Sequence, residues 1–293
     1  MLQTSDKQTL RDTLATYRRA GERIAFVPTM GFLHAGHLAL MQHARTLADR
    51  VVVSIFVNPT QFGPNEDLSR YPRDPEGDAS KAGSVGVDLI FSPEPATMYP
   101  TGFQTYVEVR ELERGLCGDR RPGHFVGVAT VVCKLFHLVQ PDVAVFGEKD
   151  YQQLQVIRRM VKDLDLPVEV ASLPTVREAD GLAMSSRNSY LSPTERQTAL
   201  ALSRVLQAAR RAVAEGATDG AMVRAAAQAE LEATPGVRVD YVELRDAESL
   251  ETVAGEMPGR AVLAVAAFVG KTRLIDNVVL ERGQPGETRS SPT

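Results

Sequence analysis

A chain of 293 residues, 43% of them hydrophobic, carries enough apolar material for one large α/β domain or two smaller ones. Its net charge of −4 and isoelectric point near 5.8 exclude a global attraction to nucleic acid or an anionic membrane, so an anionic ligand must be held by local positive groups. Neither a run of about 18 apolar residues nor a charged-then-apolar leader occurs, which sets the expectation of a cytoplasmic protein with no membrane and no nucleic-acid partner.

Strand-like apolar runs fall at residues 24–27, 51–57, 88–91, 106–109, 143–146 and 168–171, with helical patterns between most of them. That alternation predicts a Rossmann-like parallel sheet with helices on both faces, and such sheets bind ligands at the carboxyl ends of their strands. From 194 to 234 the chain reads as Ala- and Arg-rich helix, followed by strand-like runs at 237–244, 260–269 and 273–280, which predicts a smaller α+β C-terminal domain. The expected division is 1–175, 176–282 and a polar Gly-, Pro- and Ser-rich tail, 283–293, expected to be disordered. Cys117 and Cys133 have neither metal-ligand spacing nor disulfide-scaffold density and read as reduced thiols.

The sharpest motif is Pro28-Thr29-Met30-Gly31-Phe32-Leu33-His34-Ala35-Gly36-His37, where the first strand turns into a helix starting near Leu38. A helix N-terminus offers unpaired N–H groups and a positive dipole end, and residues three apart share a face, so both imidazoles can address one phosphate chain. Gly36 leaves room for close backbone approach. After the second strand, Val57-Asn58-Pro59-Thr60-Gln61 brings two amides, which read a hydroxyl or carboxylate without adding charge; Asn58 is equally natural as a turn residue before proline. Arg120 and Arg121 oppose the dipole of the helix at 126–139 and read as anchors for substrate or local structure. Gly147-Glu148-Lys149-Asp150 with Gln153 stands just after another strand, and Met184-Ser185-Ser186-Arg187 gathers hydroxyls and an arginine suited to pyrophosphate.

Together with Tyr71-Pro72-Arg73, Arg121-Pro122-Gly123-His124-Phe125 and Asp180-Gly181-Leu182-Ala183, these motifs resemble those of the pantothenate synthetase family, the pantoate–β-alanine ligases of the HxGH nucleotidylyltransferase superfamily. The resemblance spans essentially the whole chain up to the tail. It implies attack of pantoate carboxylate on the α-phosphorus of ATP, then displacement of AMP by the amine of β-alanine, in a homodimer. It places ATP along Met30, Gly31, Phe32, Leu33, His34, Ala35, Gly36 and His37, with Gly147, Glu148, Lys149, Asp150, Val176, Met184, Ser185, Ser186 and Arg187 as further contacts. The implied catalytic set is His34, His37, Lys149, Ser185, Ser186 and Arg187, with His37 in the proton-donor position; Gln61 and Gln153 correspond to the pantoate-binding amides. Mg²⁺ is implied with ATP, and Asp78 is the acidic candidate to meet it, although Gly77 stands where relatives carry a second acid. Phe32 and Ala35 depart from the small and acidic residues usual at those positions. Two other readings stay open: an HxGH transferase that stops at an adenylylated product, which needs neither Gln61 nor Gln153, and a non-catalytic ATP sensor, which predicts loss of a phosphate-facing group.

Overall fold

The computed structural model describes residues 1–64 and 66–282, so the expected tail at 283–293 lies outside the described residues. Two compact units emerge, one of residues 1–176 with 184–186, the other of residues 177–183 with those from 187 on.

The first unit runs β1 (Leu2–Thr4), α1 (Lys7–Arg19), β2 (Ile24–Thr29), α2 (Ala35–Leu47), β3 (Arg50–Ile55), α3 (Pro75–Ser84), β4 (Leu89–Phe91), α4 (Pro95–Met98), α5 (Leu116–Arg120), α6 (His124–Val139), β5 (Val143–Gly147), α7 (Tyr151–Asp163) and β6 (Glu169–Leu173). The six strands form one parallel sheet ordered β1-β4-β3-β2-β5-β6. β2, β3 and β5 are nearly continuous apolar runs because both of their faces are covered. Ala25, Val27, Val51, Val53, Val143 and Val145 pack with Met41 and Ala44 of α2. Alternate residues face the other way, where Phe136 of α6 lies edge-on to both Phe26 and Phe146 at 6.4 Å.

Local chemistry sets the helix starts. Asp6 caps α1 through Thr9 N–H, and Asp74 caps α3 through Gly77 N–H with Pro75 at the first helical position. The expected strand at 106–109 is absent: this segment joins no sheet, and Val107 N–H is satisfied instead by the Thr130 hydroxyl of α6 at 2.9 Å.

In the second unit, α8 (Pro193–Ala214) and α9 (Gly220–Glu232) pack on an antiparallel meander of β7 (Val237–Asp246), β8 (Arg260–Val269) and β9 (Thr272–Glu281). The helical stretch expected at 194–234 is therefore two helices, broken at Gly216, whose φ of +105° suits only glycine. Leu202, Val205 and Leu206 of α8 join Leu263 and Val265 of β8 in one core. The turn at 177–183 belongs to this unit. Arg177 binds Asp276 of β9 through two nitrogens (2.7 and 3.0 Å), and Arg196 of α8 reaches both Glu178 and Asp180 at 2.7 Å. Among the described residues no helix is long and apolar enough to cross a membrane.

Candidate active site

Strand order reverses at β2: the chain proceeds outward through β3 and β4 on one side, then returns to place β5 and β6 on the other. Loops leaving the carboxyl ends of β2, β3 and β5 therefore border one crevice, the usual ligand position in an open α/β sheet. Those loops and the helix starts they enter carry Met30–His37, Asn58–Gln61 and Gly147–Gln153, three of the five expected segments. Residues 184–186 of the last segment belong to the same unit.

The two histidines form a reciprocal cap on α2. His34 is the N-cap residue; its Nδ1 accepts Gly36 N–H at 3.2 Å, while His37 Nδ1 accepts His34 N–H at 3.3 Å. A backbone N–H can only donate, so both Nδ1 atoms are unprotonated and the proton of each neutral ring sits on Nε2. The rings lie 4.0 Å apart between centroids. Desolvation first, then His34 and Lys149, push the His37 pKa down to about 3. His37 is thus a neutral imidazole near pH 7 that carries its proton on Nε2 at the positive end of the helix. A Cβ at Gly36 would press on the His34 ring at 3.0 Å, so any larger residue there must push that ring aside.

Gln61 is held by a network that sequence reading identified only in part. Asn58, 1% exposed, donates to Gln61 Oε1 (3.0 Å) and to Gly127 O (3.1 Å), and its Oδ1 accepts the Tyr99 hydroxyl at 2.7 Å. Gln61 Nε2 reaches Met30 Sδ at 3.2 Å, which links the amide loop to the histidine loop. His124 secures the backbone: Arg121 Nη1 donates to its Nε2 at 3.0 Å, so its Nδ1–H donates to Gln61 O at 2.8 Å. Burial, then the Arg121 charge, lower the His124 pKa to about 4. Arg121 is itself gripped by Glu66 through two 2.7 Å bonds, which makes it a structural anchor. Tyr99, His124 and Glu66 were missed as members of this network because they lie 38, 63 and 5 residues from Gln61, and no local pattern joins them.

Lys149 sits in the helical turn Glu148–Asp150, 3.7 Å from Asp150, and its charge acts on His37. The neighbouring glutamines separate sharply. Gln152 is buried, accepting Cys117 N–H and donating to Leu112 O and Gly115 O, whereas the Gln153 side chain is half-buried without a hydrogen-bond partner among the described residues. Met184 N–H donates to Val176 O, and the Ser186 hydroxyl donates to Phe32 O at 3.4 Å, joining this segment to the histidine loop. Arg187 begins the main part of the second unit. Asp78 is 1% exposed, and its two oxygens accept Phe32 N–H (2.8 Å) and Leu33 N–H (2.6 Å). Among the described residues no three His, Cys, Asp or Glu side chains gather to hold a metal ion.

A switch-point crevice that sets imidazole N–H groups and a lysine beside neutral amides defines a nucleotide-using ligase or transferase of the α/β class. Within that class the chain belongs to the pantoate-beta-alanine ligase family, whose model matches residues 3–279. It is 62% identical over 273 residues to pantothenate synthetase of Myxococcus xanthus, covering 92% of this chain and 93% of that protein. Among solved structures it is similar to pantothenate synthetase from Thermus thermophilus, at 50% identity and a TM-score of 0.89 over 95% of this chain and 99% of that one. A third relative, pantoate-beta-alanine ligase from Francisella tularensis complexed with beta-gamma ATP and beta-alanine, matches at 33% identity and a TM-score of 0.77 over 95% and 97% of the two chains.

Proposed function

We propose that this chain condenses (R)-pantoate with β-alanine at the expense of ATP. A pantoate carboxylate oxygen attacks the α-phosphorus of ATP, releasing pyrophosphate and leaving pantoyl adenylate. The amine of β-alanine then attacks the acyl carbon and displaces AMP, giving pantothenate, a coenzyme A precursor. The observation that carries this reading is the neutral, Nδ1-accepting histidine pair at the mouth of α2 next to Lys149.

Step one brings one anion onto another, so catalysis rests on positioning and on donors aimed at developing charge. His34 and His37 donate from Nε2 to the phosphates, and His37 serves as a neutral hydrogen-bond donor because its imidazolium form is suppressed near pH 7. Lys149, Ser185, Ser186 and Arg187 neutralise departing pyrophosphate, while Met30 to Gly36, Gly147, Glu148, Asp150, Val176 and Met184 border the nucleotide. Gln61 and Gln153 hold pantoate. The assigned roles are ATP and pantoate binding for the first unit, which takes in Val176 and residues 184–186, and lid for the second.

Mg²⁺ belongs to the reading as part of the ATP complex, where it screens phosphate charge. The residues present do not fit a dedicated site: Asp78 is nearly closed to solvent with both oxygens taken, and no acidic group of three is found among the described residues. We assign a cytoplasmic homodimer as location and assembly. A transferase stopping at an adenylylated product leaves the organised Gln61 without a task.

The test incubates purified protein with ATP, Mg²⁺, pantoate and β-alanine, omitting each in turn, and follows products by mass. Pantothenate and AMP formed only with all substrates support the proposal; folded protein that makes neither refutes it.

A further inference from the structure

Leaving β2, the chain turns through two consecutive left-handed residues, Gly31 at φ +81° and Phe32 at φ +50°. Such a conformation is strained for phenylalanine and must be held by its surroundings. Successive N–H groups in a turn of this kind also converge into a concavity that binds an anion. Here the anion is internal: Asp78 Oδ2 takes Phe32 N–H at 2.8 Å and Oδ1 takes Leu33 N–H at 2.6 Å. The carboxylate rises from the first turn of α3, where Asp74 and Pro75 fix the helix start. Lys81, one turn further along α3, lies 5.9 Å over the Phe32 ring, and the Ser186 hydroxyl holds Phe32 O. Phe32 is therefore gripped at its N–H, its ring and its carbonyl.

We propose that Asp78 is a positioning residue for adenylate formation: by occupying the Phe32–Leu33 N–H groups it fixes the loop that presents His34 and His37, and the nucleotide is met by the imidazoles instead of by those two backbone donors. The inference rests on the function proposed above and deepens it. His34 follows Leu33 directly and supplies the N–H that His37 Nδ1 accepts, so a loop released at Leu33 loses the cap and lets water reach His37. Gly31 belongs to the same device, since a Cβ there would lie 2.9 Å from Asp78 Oδ2 and from Ile55 Cγ2.

The test compares wild type with Asp78→Asn and with Gly31→Ala. An asparagine amide accepts at one atom only, so one N–H faces a donor; the alanine pushes the carboxylate off from the other side. Four quantities are read: kcat of pantoate-dependent ATP–pyrophosphate exchange, KM for pantoate, the Mg²⁺ midpoint, and the His37 imidazole titration by NMR. Both variants are expected to lose kcat on the order of 100-fold, as for reacting groups displaced by about 1 Å, with KM for pantoate and the Mg²⁺ midpoint unchanged. His37, silent above pH 5 in wild type, is expected to titrate above pH 5 in both. Should Asp78→Asn fail to fold, Asp78→Glu decides, because it keeps the charge while moving both acceptor oxygens, whereas Gly31→Ala also strains the left-handed turn itself; a lost ATP contact would leave the His37 titration where it was. Near-wild-type kcat in a folded variant, a loss restored by excess Mg²⁺, or an unmoved His37 titration overturns the proposal. Absence of exchange in wild type refutes the ligase function instead, and the His37 titration then judges the clamp by itself.

Discussion

Replacing Gly127 by alanine tests how the amide loop is held. Gly127 lies in the first turns of α6, where alanine favours helix by about 1 kcal/mol over glycine, so propensity alone predicts a gain in stability. The structure predicts the opposite. A Cβ at Gly127 would stand 2.4 Å from Thr60 O, 2.6 Å from Thr60 C and 2.7 Å from Gln61 N, and 2.4 Å falls 1.0 Å short of the 3.4 Å at which ordinary contact begins. All three neighbours are backbone, so no side chain can swing away; the turn Pro59–Gln61 must move off α6 by about 1 Å. That shift stretches the 3.1 Å bond from Asn58 to Gly127 O and disturbs the Asn58 grip on Gln61 Oε1. Overpacking of this kind costs about 1–3 kcal/mol, which outweighs the propensity gain. A displacement of that size at Gln61, proposed above to hold pantoate, costs on the order of 100-fold in kcat/KM. Urea unfolding and exchange kinetics at varied pantoate read both effects. A folded Gly127→Ala protein that is more stable than wild type, or that keeps its kcat/KM for pantoate, refutes the reasoning.

Three further predictions concern the histidines and the second unit. His37→Ala removes one cap bond and, on the proposed reading, one phosphate donor, so exchange should fall at least about 100-fold while stability drops only about 1 kcal/mol; parallel loss of folding and exchange contradicts the proposed role. The folded-state pKa values of His37 and His124 are depressed to about 3 and about 4, so the unfolded chain binds protons first as pH falls from 6.5. Stability should therefore decline between pH 6.5 and 5 by up to about 1.4 kcal/mol per unit for each histidine, and His124→Gln should remove one share; a flat urea midpoint over that window rules this out. Asp276→Asn weakens the grip on Arg177 and should cost about 3 kcal/mol, the low end for a buried pair because Arg177 is 27% exposed, with unfolding in urea as the readout.

The parts that the sequence revealed are those where local pattern and tertiary role coincide. β2, β3 and β5 are apolar runs too short for helices, and the sheet buries them on both faces. The His34 and His37 motif was legible because a strand, a turn and a helix start are all written within about fifteen residues. That the imidazoles complete the helix cap was not, because a histidine cap has no pattern of its own beside the usual Ser, Thr, Asp and Asn. Asp78 became a candidate for metal through the family resemblance alone, and an aspartate in the sequence carries no mark of the backbone donors waiting 45 residues upstream. The segment 106–109 has strand-like side chains, yet its one paired donor finds a hydroxyl on α6. β1, only Leu2–Thr4, is too short and too polar to announce itself, and exists because β4 offers it a parallel edge.

The central claim is that pantoate oxygen becomes bonded to the α-phosphorus of ATP. Pantoate labelled with ¹⁸O in its carboxylate, turned over with ATP and β-alanine, tests it by mass spectrometry of the products. The account predicts that AMP carries one labelled oxygen per turnover and that pyrophosphate carries none. Label in pyrophosphate or inorganic phosphate, or AMP without label while pantothenate accumulates, would contradict it.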